Sequence, residues 1–178
     1  MPYRRLPNTD QARIRALSAI VQKGETLNVY DLAFSLKSLS LVRNFLTKFD
    51  AAHTFYVECF EQQSKAGRKH AANAKMARLY LSHFIQVLNL AVIRAEIKAA
   101  HKDYYGLDVR NHIVPDLTTD ANMAEWGTKV IAGEQKRMSL GGVPIYNPTI
   151  AKVKVQFDIL MQSYEKQKDF QLATTRSL

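Results

Sequence analysis

The chain has a single cysteine, Cys59, and so can form no internal disulfide. A lone thiol in the apolar stretch FYVECF reads as a small core residue, with no partner signature for redox or nucleophilic work. Seven glycines and five prolines are few for 178 residues. No succession of short alternating apolar segments separated by turn residues appears, which argues against sandwiches and barrels. Long hydrophobic runs are missing as well. The most apolar stretch, VLNLAVI from Val87 to Ile93, falls far short of the roughly 20 residues that span a bilayer. The early arginines of MPYRRLPNTDQARIRAL are followed by no continuous apolar segment of the kind a secretory signal needs. The expectation is a soluble, cytoplasmic protein with no membrane partner.

Catalytic and cofactor motifs are absent too. There is no GxSxG elbow, no local Cys and His signature, no GxGxxG after a strand and no glycine loop ending in Lys and Ser or Thr. Paired metal sites in helical bundles draw on two acid-x-x-His sequences, and here DAAH, Asp50 to His53, is the one copy. Glu58, Glu61, Glu96, Glu125 and Glu134 read as solvated or ion-paired surface. The histidines at 53, 70, 83, 101 and 112 are scattered without ligand spacing. His53 and His83 lie beside apolar stripes, where a hydrogen-bonded core or boundary histidine is the commoner case. The reading is a non-enzyme with no cofactor and no metal; for a small-molecule ligand the sequence offers no distinguishing polar cluster.

What is present is helical. Hydrophobic residues make up 47% and charged residues 23%, and a chain this long removes roughly 70% of its extended surface from water on folding. Asn8 with Gln11 three positions on reads as a helix N-cap with a reciprocal partner. Ile14, Leu17, Ile20 and Val21 follow on one face and Gly24 offers a left-handed stop, giving a first helix over about Thr9 to Lys23. Residues 25–34 show no convincing period. From Ser35, Leu39, Val42, Leu46, Phe49, Tyr56 and Phe60 recur at helical steps to about Gln63, and Ser64, Lys65 and Gly67 offer a weak interruption.

A third helix is predicted over about Arg68 to Lys102. Its stripe Met76, Tyr80, Phe84, Val87 and Ala91 is doubled by Leu81, Ile85, Leu88 and Val92, so it buries more than one side. Gly106 is placed to stop it, and YYGLDVRNHIVPDL has loop composition. Thr118 or Thr119 caps a fourth helix through Met123, Trp126, Val130 and Ile131, in which Gly127 and Gly133 mark close packing against a neighbour. In LGGVPIYNPTI, Gly141 is suited to the left-handed end of that helix, Asn147 to the next N-cap and Pro148 to the first helical position. Four residues separate the glycine pair from that cap, so the segment reads as a connection and not as a phosphate cradle. Ile150, Val153, Phe157, Leu160, Met161 and Tyr164 mark the last helix.

These elements make an all-α fold: an antiparallel bundle of about four to five helices, two or three of them long, as one domain over 1–178. A short arm over 1–7 and a frayed tail over 171–178 flank it. The formal charge of +9 favours anionic partners. Lys65, Arg68, Lys69, Lys75 and Arg78 crowd one short helical stretch and are the candidate nucleic-acid contacts, against the alternative of a solvated helix face. Lys136 and Arg137, at the last turn of the fourth helix, read as cations meeting the negative end of its dipole. Tyr104, Tyr105, Arg110, His112 and Tyr146 are the candidate contacts for a protein partner, because aromatic and cationic residues gather there on two loops. The functional expectation is macromolecular interaction: a protein partner or self-association, with nucleic-acid binding as the alternative.

Overall fold

The computed structural model describes residues 6–177, and the arm read over 1–7 falls mostly outside them. The chain is an all-α helical bundle, as its sequence predicts, with no strand among the described residues. Four α-helices carry it: α1 (Asp10–Thr26), α2 (Leu36–Ile93), α3 (Asp120–Ser139) and α4 (Ile150–Arg176). Two 3-10 helices, Val29–Asp31 and Ala99–Tyr105, lie in the connections. The chain forms two compact units, one of residues 1–62 with 172–178 and one of residues 63–171.

In the first unit, α1 is capped by Thr9 and not Asn8, its hydroxyl accepting from Ala12 N at 3.2 Å. Gly24 does not stop the helix. It lies inside α1, buried, where a Cβ would stand 2.6 Å from Leu39 Cδ1, and the helix continues to Thr26. Beside this contact Glu25 pairs with Arg43 at 2.8 Å, half exposed on both sides and so worth at most about 1 kcal/mol. Segment 25–34, unassigned from sequence, closes α1 and then makes the 3-10 helix, whose first free amide donates to Asn28 Oδ1.

The predicted second and third helices are one. α2 runs unbroken through Ser64, Lys65 and Gly67 because a single interior glycine costs only about 1 kcal/mol, less than the packing on either side supplies. It ends at Ile93, earlier than the expected Lys102. Ala95 takes a left-handed φ of 60°, Ala95 N donates to Val92 O at 3.0 Å and Glu96 N to Ala91 O at 2.9 Å, closing a Schellman motif without a glycine. Gly106, with φ 67°, does terminate a helix, but it is the 3-10 helix Ala99–Tyr105.

α3 begins at Thr119, whose hydroxyl accepts from Asn122 N at 3.1 Å, and it is followed by Gly141 at φ 86°. α4 is capped by Thr149, which accepts from Lys152 N at 3.4 Å. Asn147 has a φ of 53°, outside the extended region an N-cap occupies, so the expected Asn147 and Pro148 start gives way to Thr149. The helix continues to Arg176, through most of the segment that reads as frayed.

The second unit holds the core. Phe84, Ile85 and Leu88 of α2 are fully buried, with Tyr105, Met123, Val130, Val153 and Leu160 around them. Each such side chain contributes about 1.5–3 kcal/mol by leaving water. Both apolar stripes of this part of α2 are used, although Met76 at one end is 41% exposed. Gly127 and Gly133 mark close approaches: a Cβ on the first would meet the Phe157 ring at 2.4 Å, and on the second Tyr105 Cδ1 at 2.6 Å and Tyr104 O at 2.7 Å.

The Tyr104 carbonyl belongs to the backbone and cannot swing aside. Gly133→Ala therefore gains about 1 kcal/mol of helix propensity but loses more to overpacking, for a net destabilisation of about 1–2 kcal/mol measured as a lower urea midpoint. An unchanged or higher midpoint would contradict this packing.

Candidate binding cleft

Burying a charge demands a partner and further hydrogen bonds. The second unit meets that demand at Glu134 and Arg137, one turn apart on α3 and 0% and 3% exposed. Arg137 donates from Nε to Glu134 Oε2 at 2.9 Å and from Nη2 to Glu134 Oε1 at 2.7 Å. Its Nη2 also donates to Val143 O at 2.7 Å, and its Nε to the Tyr105 hydroxyl at 2.9 Å. That hydroxyl in turn donates to Glu134, which accepts a further bond from Ile145 N at 3.1 Å. Burial pushes the Glu134 carboxyl up, but the bonds from Arg137, Tyr105 and Ile145 together outweigh it and hold the pKa below the ordinary 4.5. Burial and the neighbouring carboxylate both raise the Tyr105 phenol. The bond to Glu134 keeps Arg137 firmly charged against its burial.

This network ties three pieces of chain: the 3-10 helix at Tyr105, the end of α3, and the connection at Val143 and Ile145. A second set of ties holds the loop after Gly106. Lys102, 1% exposed, donates to Asn111 O, and burial lowers its pKa while Asp108 partly offsets that. Asn89 Nδ2 donates to His112 O at 3.1 Å, and Arg78 donates to Leu117 O at 2.8 Å and Thr118 O at 2.7 Å. Within the loop, Asp108 and Asp116 accept from Arg110 N and Thr118 N.

Between the end of α2, the 3-10 helix and the α3–α4 connection lies an open cleft of about 640 Å³. Val87, Ala91, Ile97 and Ile145 give it an apolar floor, while the Arg94 and Lys98 cations and the His101 ring stand along it. Glu96 is the single lining carboxylate, and it is paired with Arg94 at 2.9 Å. Lys98 has no ion-pair partner among the described residues. His101 stacks on Tyr104, with centroids 5.3 Å apart, and the Lys136 ammonium lies over the Tyr104 ring, 4.7 Å from its centroid. Val143 and Tyr146 are 74% and 72% exposed at the mouth.

Of the residues singled out from sequence, Tyr146 lines the cleft and the half-buried Tyr104 supports His101. Tyr105 is fully buried and serves as an anchor, so it is not a contact surface. Arg110 and His112 are exposed on the loop and do not line the cleft. Lys65, Arg68, Lys69 and Lys75 are exposed along α2, but Arg78 is committed to the two loop carbonyls. Glu134 is core and not surface, and Arg137 is its buried partner more than a dipole cation. Sequence reasoning missed Arg94, Lys98 and His101, since it ran the helix through them; the available signal was the cationic spacing of RAEIKAAHK.

One further constellation joins distant segments. His70, 6% exposed, lies 3.1 Å from Ser163 Oγ and 2.9 Å from Asp120 Oδ2. A serine, histidine and aspartate in contact resemble a hydrolytic triad, but the Ser163 hydroxyl is buried and donates to Leu160 O at 2.8 Å. The group clamps α2, α3 and α4 together in the second unit. Among the described residues no cluster of three or more His, Cys, Asp or Glu is arranged to hold a metal ion, and Cys59 is a buried free thiol.

α2 includes one window long and apolar enough by composition to cross a membrane, which the short run VLNLAVI did not suggest. That window is 39% buried within the protein, and core helices pass the same test. No protein-family model matches the chain, and no curated protein or solved structure matches it.

Replacing Glu134 by Ala leaves the Arg137 charge buried and unpaired, and costs about 3–5 kcal/mol of unfolding free energy at neutral pH. Glu134→Leu with Arg137→Met removes both charges but leaves the Tyr105 hydroxyl, the Val143 carbonyl and the Ile145 amide without these partners, so it recovers only part of that loss in urea melts. The folded carboxyl has a depressed pKa, so its contribution is present above about pH 4.5 and is lost as pH falls through the folded value. Acid titration of stability should therefore be flatter in the double variant than in the wild type.

Proposed function

We propose that this protein acts by binding a macromolecular partner, without a catalytic step, and that the partner presents a peptide segment with apolar and acidic side chains to the cleft. The observation that carries this reading is the pairing of an apolar floor with the unpaired Lys98 ammonium in a cleft whose walls are pinned by buried polar bonds. An apolar surface in a concave site favours aliphatic side chains. Cations without carboxylates to neutralise them favour acidic ones and speed encounter with them. Preformed walls reduce the ordering penalty on binding. Exposed Tyr146 offers a rigid amphipathic contact at the mouth, of the kind that recurs at interface hot spots.

A specific observation also favours a second reading. Between Gln62 and Ala95 the sequence has no Asp or Glu, so Lys65, Arg68, Lys69 and Lys75 form an exposed basic face unneutralised by their own helix. Such a face suits a phosphate backbone.

Selection from a random-peptide phage library should enrich sequences combining Asp or Glu with aliphatic residues. Lys98→Glu and Tyr146→Ala should each weaken the selected peptides about tenfold, near 1.4 kcal/mol, with thermal melting unchanged. Peptides without acidic enrichment, or bound equally by both variants, would defeat the cleft reading. For the second reading, affinity for random duplex DNA should fall with salt at a log–log slope of about −0.9 per phosphate contact, and the slope should shrink when Arg68 and Lys75 become Ala.

A further inference from the structure

The first unit leaves an apolar seam on α2 uncovered. Positions 41, 45, 48, 52, 55 and 59 follow one another at steps of four and three, the spacing of a coiled-coil seam. At the C-terminal end of the seam Cys59 is 7% exposed, and farther along the same side of the helix His70, Ala77 and Leu81 are buried. N-terminal to Cys59 the register is open: Leu41, Phe45 and Phe55 are 62%, 56% and 57% exposed. α1 does not cover them. Its contact at Leu39 belongs to the neighbouring stripe, in which Val42, Leu46, Phe49 and Tyr56 are half-buried.

Leu39 and Cys59 are the only buried apolar side chains of the first unit among its described residues, so that unit covers little of its own apolar surface.

Charge selects the occupant and its direction. Arg43, already paired with Glu25, lies with Asp50 and Glu61 on the far side of α2 from the seam, whereas Lys37 and Glu58 flank the seam near its two ends. An antiparallel copy of the same helix sets Lys37 of each beside Glu58 of the other, and also opposes the two helix dipoles favourably. A parallel copy sets like against like. A surface complementary to itself under a two-fold rotation is what an isologous dimer requires.

We propose that two copies of this chain associate through the Leu41 to Phe55 seam of α2, packed antiparallel about a two-fold axis near Lys48. Leu41 and Phe45 of one copy then meet Phe55 and Ala52 of the other, and the two Lys48 stems meet at the axis with their ammonium groups turned out of the seam into water. This surface lies in the first unit and is separate from the cleft, so the two readings stand or fall independently.

Sedimentation equilibrium across a concentration series tests it. The wild type should give twice 20.2 kDa, and L41E with F45E should give 20.2 kDa with helicity by circular dichroism retained. Tyr146→Ala in the cleft should leave the dimer mass unchanged. A monomeric wild type at all concentrations, or a dimer that survives L41E with F45E, overturns the proposal. Disulfide trapping settles direction without disturbing the apolar seam as a whole: under mild oxidation Lys48→Cys should cross-link to itself and Leu41→Cys should not. Self-cross-linking of Leu41→Cys would contradict the antiparallel arrangement.

Discussion

Glu134 and Arg137 are placed where neither charge survives alone, and the surroundings follow from that. Desolvating either group by itself costs several kcal/mol, so each must be met by the other and by additional bonds. The additional partners are the Tyr105 hydroxyl from the 3-10 helix and the Val143 carbonyl and Ile145 amide from the α3–α4 connection, two of the segments that border the cleft. Buried ion pairs are weak sources of net stability, because burial offsets much of their attraction. What this one supplies is position. It converts the α3–α4 connection, a stretch of apolar and conformationally free residues, into a fixed wall.

The same logic accounts for the loop after Gly106. Lys102, Asn89 and Arg78 each spend a polar side chain on its carbonyls, at Asn111, His112, Leu117 and Thr118. That use removes Arg78 from the basic face of α2, which otherwise runs from Lys65 to Lys75 in water. Polar bonds thus shape one end of the second unit, whereas its middle is held by aliphatic and aromatic packing around Phe84, Ile85 and Leu88. In the first unit the contrast is sharp. Its apolar residues on α2 form two stripes, and among the described residues one of them is left exposed, the surface proposed above for a partner copy.

Much of the fold was legible because it rests on local rules. The apolar periods of α3 and α4, the cap at Thr119, the left-handed Gly141 and the tight glycines 127 and 133 all follow from spacing and residue type. The end of α2 was not legible, because the left-handed residue there is Ala95, a type that carries no stop signal, and the nearest glycine lies at 106. Gly67 misled in the opposite direction: it carries the sign of a break, but packing on both sides carries the helix through. The site was harder still. Glu134 and Arg137 look like an ordinary surface pair at helical spacing, and only Tyr105 and Ile145, 29 and 11 residues away, reveal that they are buried. His70 and Ser163, 93 residues apart, meet for the same tertiary reason.

The claim on which the cleft depends is that a carboxylate on α3 holds the connection through the Ile145 amide. Amide hydrogen exchange read residue by residue by NMR measures that bond directly. Ile145 should exchange slowly, close to the interior amides of α3, while the exposed neighbour Tyr146 exchanges fast. Exchange at Ile145 as fast as at Tyr146 would mean that the connection is not held by Glu134, and the wall of the cleft would lose its physical basis.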